Sequence, residues 1–267
     1  LGLLLLMLAS ALAGDAERGE VLAGLAGCLA CHTAEGGAPG AGGHAVKTSF
    51  GTFYGSNLTA DAEHGLGAWS YEDFERALRR GRDPQGRAYY PAFPYTSFTR
   101  LVEEDVADLW AWVQQLPPSP EPSLPHEVKP AYRGPAALGL WRGLGFRPGE
   151  FRPDVRRSEA WNLGAYLVQG PGHCGECHTP RTSIGVPKRA HALEGSTSPR
   201  APDISASAEG VGGWALADLV AFLELGMLPD GDFTGGEMSR VIDEGTSALS
   251  ADERLAMALY LLDRDAP

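Results

Sequence analysis

Cysteine is scarce in this chain, and so is methionine: each occurs four times in 267 residues. All four cysteines fall in two short motifs, which leaves none for a disulfide framework elsewhere. Positive charge is also in short supply, with 22 Lys and Arg against 34 Asp and Glu, a formal net charge of -12 and no basic run. Such a balance lacks the electrostatic footprint of a nucleic-acid binder and favours a basic protein partner. After the opening residues no apolar stretch is long enough to cross a bilayer. No alternating pattern marks a convincing strand, so the fold class expected is all-α. No Gly-rich phosphate loop follows a strand, and no nucleophile motif gathers Ser, His and Asp, which removes support for nucleotide chemistry and hydrolysis. What is present is an ordinary globular balance, 43% hydrophobic and 21% charged, with enough apolar residues for a core.

The opening LGLLLLMLASALAG has the apolar body and small-residue end of a signal peptide, read here as residues 1–14 and as starting inside the leader. Cleavage near Ala13 or Gly14 is expected, giving an exported, periplasmic protein that meets a membrane at most peripherally.

The second half of the chain repeats the first. RGEVLAGLAGCLACHT, from Arg18, returns as NLGAYLVQGPGHCGECHT, from Asn162. Trp69 and Trp214, Gly81 and Gly226, Pro84 and Pro229, and Gly86 and Gly231 all stand 145 positions apart. Two tandem helical domains are therefore expected, over 15–116 and 158–267, joined by an irregular linker over 117–157. The linker's Tyr132, Trp141, Phe146 and Phe151 suggest that it packs along the domains. Each domain is expected to close with an amphipathic helix. Val106, Leu109, Trp110 and Val113 form one stripe, and Leu255, Leu259 and Leu262 form the other, behind a Ser250–Glu253 capping box. Mid-domain helices are expected after Trp69 and Trp214, the second burying Leu216, Leu219, Val220 and Leu223.

The chemistry lies in CLACH (Cys28, Cys31, His32) and CGECH (Cys174, Cys177, His178). In c-type attachment two thiols add across the porphyrin vinyl groups, and the next histidine binds iron from the proximal side. A redox dithiol and a zinc site share the spacing, but a closed zinc site needs four ligands and each motif supplies at most three. Two motifs in register favour two covalently held haem c groups. Among the methionines, Met238 in TGGEM is placed to return over the second haem as sixth ligand; Met257 reads as a packing residue, and Met227 falls in a segment whose counterpart in the first unit is Arg82. The position 145 residues before Met238 is Phe93, which cannot ligate iron. For the first haem His44 and His64 are the nearest nitrogen donors, and a five-coordinate iron is the other possibility. A bis-histidine first haem would have the lower potential and take in electrons; an open one would suit a haem enzyme acting on peroxide or a sulfur compound. His126 and His173 read as structural, and Trp69, Trp214, Tyr89 and Tyr90 as either core or pocket lining.

RGEVLAGLAGCLACHT, FGTFYGSNLTAD, GLGAW, YYPAFPYTSFT, HCGECHTPR, DGDFTGGEM and the linker's WRGLGFRPGEFRPD together resemble the cytochrome c subunits of bacterial membrane-bound alcohol, aldehyde and gluconate dehydrogenases. The resemblance covers nearly the whole chain after the leader. It implies helical cytochrome c domains that take electrons from a periplasmic dehydrogenase and pass them towards the respiratory chain. By that analogy Cys28, Cys31 and His32 hold one haem, and Cys174, Cys177, His178 and Met238 the other. This chain departs from the pattern in having two attachment motifs where the alcohol dehydrogenase subunits have three, and Phe93 where YPAMPY has methionine.

Overall fold

A computed structural model describes residues 14–197 and 199–265. The leader read over 1–14 lies, apart from Gly14, outside the described residues. The chain opens with α1 (Ala16–Leu25), capped by the Asp15 carboxylate, and runs through α2 (Cys28–His32) into a hairpin of β1 (Ala45–Thr48) and β2 (Gly51–Tyr54). Next come α3 (Tyr71–Arg80), α4 (Tyr95–Phe98) and α5 (Glu103–Val113). The connecting segment holds β3 (Glu127–Val128) and α6 (Pro135–Gly145). The second copy contains α7 (Glu159–Gln169), α8 (Gly175–His178), the paired strands β4 (Ser196–Thr197) and β5 (Arg200–Ala201), α9 (Leu216–Leu225), α10 (Glu237–Glu244) and α11 (Ala251–Leu261).

Two expectations are corrected. The fold is helical but not all-α: β3 joins β1 and β2 in a three-stranded antiparallel sheet, with Thr52 opposite Glu127, and β4 pairs with β5. Alternation did not reveal the first sheet because only Phe53 of its hairpin strands is buried. The connecting segment is also more ordered than its glycines and prolines suggested. Pro135 starts a three-turn helix there, with Leu138 buried. Tyr132, Phe146 and Phe151 lie edge-on to Phe50, Tyr95 and Tyr166, at 4.8, 5.0 and 5.6 Å between centroids.

In each copy the opening and closing helices cross tightly, α1 against α5 and α7 against α11. Glycine makes this possible. A methyl group at Gly19 would strike the Asp108 carbonyl, and one at Gly164 would strike that of Ala256. The capping boxes at Ser70–Asp73 and Ser250–Glu253 both form. Val106, Leu109, Val113, Leu219, Leu223, Leu259 and Leu262 are buried as the periodicity predicted, whereas Leu255 is exposed. Each fully buried Leu or Val contributes about 1.5–3 kcal/mol.

The buried apolar residues of both copies merge into one cluster, from Leu22 and Val106 to Leu167 and Leu261. Polar bonds cross the same boundary. Arg18 pairs with Glu253 at 2.8 Å, and the Tyr166 hydroxyl donates to the buried Asp105 carboxylate. Burial raises the pKa of Asp105 above the usual carboxylate range, although Tyr166 works in the opposite sense. Above that raised value the ionised carboxylate relies on Tyr166; below it the protonated acid does not. Tyr166→Phe should therefore cost about 1–3 kcal/mol near neutral pH, and the loss should shrink on acidification through the raised pKa. Chemical unfolding of both proteins across pH tests this, and an equal loss at all pH values would contradict it.

Candidate haem sites

Each attachment motif is delivered by a buried helix and a left-handed turn. After α1, Gly27 has φ 60° and begins α2; after α7, His173 occupies the equivalent place with φ 36°. A histidine in this region is strained where glycine is not. The His173 ring, however, lies 5.6 Å from that of Phe98, and its Nε2–H donates to the Ala26 carbonyl at 3.1 Å.

The two proximal candidates are held alike. His32 Nδ1 lies 2.7 Å from the Ser56 carbonyl, and His178 Nδ1 lies 2.8 Å from that of Pro202, in each case 24 residues downstream. A carbonyl only accepts, so Nδ1 carries the proton and Nε2 keeps its lone pair for a metal. Burial lowers the pKa of both rings, which keeps them neutral. The supporting strand segments are tied in turn: Gly42 N donates to the His32 carbonyl and Gly195 N to that of His178, both at 2.8 Å.

The four thiols are unpaired, with Cys28 and Cys174 half-buried and Cys31 and Cys177 at the surface. Burial pushes Cys28 and Cys174 up to about 12, so without a bound group they are protonated thiols. Cys31 is open to solvent on one side yet crowded by protein on the other. That crowding raises its pKa, with Arg240 opposing and Cys177 and Glu237 adding to the rise. Glu237 acts on Cys177 as well. Both motifs and the start of α10, which carries the half-buried Met238, are therefore neighbours. Among the described residues no three His, Cys, Asp or Glu side chains converge as a bare metal centre requires. Unpaired thiols beside a histidine with a fixed tautomer fit covalent haem, whose iron such a histidine ligates from one side.

Glu176, inside CGECH, joins the copies. It accepts from Thr96 Oγ1 at 2.5 Å and Ser97 Oγ at 3.0 Å, and pairs with Arg181. Burial pushes its pKa up, but Arg181 and Thr96 outweigh that and hold the carboxyl below its usual range. This carboxylate did not stand out in the sequence; His173, read there as structural, falls at the register of Gly27.

The remaining candidates do not gather at a distal position. The His44 carbonyl accepts from Gly55 N at 2.9 Å, next in sequence to the Ser56 carbonyl that holds His32, so the backbone of His44 lies close to the His32 support. His64 sits on a loop whose N–H groups bond to Asp61, with Glu63 4.0 Å away. His126 Nδ1 accepts from Tyr54 N at 3.2 Å, leaving its proton on Nε2. Trp69 and Trp214 are half-buried against the core. Met257 is a core residue, and Met227 forms a backbone bridge to Phe233.

A family model, Cytochrome c, matches residues 16–117. Over 264 residues the chain is 38% identical to the diheme cytochrome c-type protein of Cereibacter sphaeroides, covering 94% of this chain and 86% of that one. Against the alcohol dehydrogenase (quinone) cytochrome c subunit of Gluconobacter oxydans, identity is 37% over 287 residues, covering 98% of this chain and 58% of the relative. The fructose dehydrogenase cytochrome subunit of Gluconobacter japonicus is 35% identical over 261 residues, covering 95% of this chain and 53% of the relative. The chain thus spans little more than half the length of these two dehydrogenase subunits.

Gly55 stands one residue before Ser56, and a methyl group there would strike the Cys31 carbonyl. Gly55→Ala should displace the Ser56 carbonyl and make the His32 ring less basic. Loss of basicity in a proximal ligand disfavours the oxidised iron, so one midpoint should rise while the other stays. A potentiometric titration reads both, and two unmoved midpoints would contradict the assignment of Ser56.

Proposed function

The chain belongs to the cytochrome c family represented by the diheme c-type protein of Cereibacter sphaeroides, and from this premise we propose that it relays single electrons through two covalently bound c-type haems. The observation that carries this reading is the repeated clamp, His32 on Ser56 and His178 on Pro202 with the same sequence separation, behind two pairs of unpaired thiols. Haem supplies reversible one-electron chemistry at iron. This chain's residues would fix the ring through Cys28, Cys31, Cys174 and Cys177, ligate through His32 and His178, and complete the second site through the Met238 thioether. Segments 15–116 and 158–267 would act as two haem-carrying units with 117–157 connecting them. The second attachment motif touches the first copy at two places, through Glu176 with Thr96 and Ser97 of α4 and through His173 with Ala26 just before the first motif, which favours electron passage from one unit to the other.

The likeness to dehydrogenase subunits suggests a dehydrogenase as donor and a cytochrome or oxidase of the respiratory chain as acceptor. The leader supports a periplasmic location, and no helix among the described residues is long and apolar enough to cross a membrane.

Haem counting by the pyridine haemochrome assay on purified protein tests the reading, with two haems expected. Replacing Cys174 and Cys177 together by Ala should halve the count; a normal count in that variant would sink the assignment. Separately, Met238→Ala should convert one iron from low to high spin and lower its midpoint, because thioether ligation favours the reduced state. Unchanged EPR and midpoints would remove Met238 from the site.

A further inference from the structure

We propose that the first haem has no sixth ligand from the protein, and that its distal side, walled by Phe93, binds a small neutral diatomic ligand of the carbon monoxide or nitric oxide class. The proposal rests on the reading of Cys28, Cys31 and His32 as a haem attachment site.

Backbone correspondence between the copies is the first ground. Gly81 and Gly226 end their helices in the left-handed conformation, with φ 56° and 74°. Arg82 then bridges Ala88, and Met227 bridges Phe233, at the same 145-residue offset. Tyr89 N donates to the Gly81 carbonyl and Thr234 N to that of Gly226, each at 2.9 Å. Two segments with the same turn and the same bridge start from equivalent places and carry two residues at matching register, one in the bend before α4 and one in the first turn of α10. Those residues are Phe93 in one copy and Met238 in the other.

Phe93 offers no lone pair. Its ring is set among Tyr89, Phe98 and Tyr95, with centroids at 5.6, 5.7 and 6.4 Å, so the position is filled by an apolar wall. Burial raises the pKa of the Tyr89 phenol, which keeps it protonated and a poor ligand.

Substitute donors are engaged elsewhere. His44 is paired through its backbone to Gly55, beside the Ser56 carbonyl that holds His32, His126 carries its proton on Nε2, His173 donates its Nε2–H to Ala26, and His191 Nδ1 is 2.7 Å from Glu194. His64 is held by its loop beside Glu63. The first copy contains no methionine. The hydroxyls beside the Phe93 ring belong to Tyr89 and Tyr95, which burial makes weaker acids, and such a wall suits a neutral ligand held by back-donation from ferrous iron more than a peroxide, whose cleavage needs ready proton delivery.

The experiment uses the full chain with its haems attached, counted first by pyridine haemochrome. Carbon monoxide is then titrated into the dithionite-reduced protein, and low-temperature EPR is recorded on the oxidised protein. Binding at one of two haems is expected, with one high-spin and one low-spin ferric signal. Phe93→Met should abolish that binding and turn the high-spin signal low-spin, whereas Phe93→Leu should keep both features. Should Phe93→Met fail to fold, the unmodified protein still decides through stoichiometry and spin state. Two haems, both low-spin and indifferent to carbon monoxide, would overturn the open site and leave the relay intact. A count of one haem, held by Cys174 and Cys177, would overturn the attachment reading and the open site with it.

Discussion

Direct backbone contact at Gly19 and Gly164 is the constraint on which the rest of the molecule depends. The opening helix of each copy is pressed against the closing one closely enough that no side chain fits between them at the crossing. From those pinned helices the chain has two or more residues in which to turn and present its first cysteine. Gly27 and His173 make that turn in the left-handed region, one without strain and the other compensated by an added hydrogen bond and ring contact. The attachment motifs are short helices with little packing of their own, so their orientation is inherited from the crossing behind them.

Electrostatics at the sites follows from the same burial. The protein carries a formal charge of -12, yet its buried imidazoles and thiols are kept neutral, and the lone pairs needed for ligation stay available. The exception is Glu176, a partly buried carboxylate that Arg181, Thr96 and Ser97 hold in its charged form. Its counterpart in the first motif is Ala30. The copies have thus diverged where they meet while keeping the proximal clamp in common, which is the pattern expected when one face of a repeat becomes an internal interface.

The parts of the fold legible in the sequence were those with a local physical signature. Capping boxes and the periodic leucines of the closing helices act within a few residues of where they stand. Strands β1 to β3 left no such trace, because Phe53 is the one buried residue of the β1–β2 hairpin and β3 adds only two residues, with Val128 buried, so pairing rather than patterning defines the sheet. Helix α6 was hidden by Gly139, Gly143 and Gly145, which lower helix propensity, and is held by Arg142, whose guanidinium lies 4.9 Å from the Tyr95 ring centroid and 4.8 Å from that of Phe146. At the candidate sites, the cysteines and the histidines expected as proximal ligands were named from spacing alone. The carbonyls of Ser56 and Pro202 could not, since a main-chain acceptor has no residue type to betray it.

The relation between Phe93 and Met238 shows how far fold and chemistry can separate. Methionine and phenylalanine are both large, apolar and tolerated at the margin of a core, so exchanging them need not disturb the helix or the preceding turn. Packing reads the two side chains as near equivalents. Iron does not, because one brings a thioether and the other only a ring. On the proposed ligation, then, a single position that is almost neutral for folding would separate a unit with its own sixth ligand from one without it. An internal duplication can therefore keep its architecture through the buried helices while the two metal environments drift apart, and the drift is visible only where the register of the repeat is followed residue by residue.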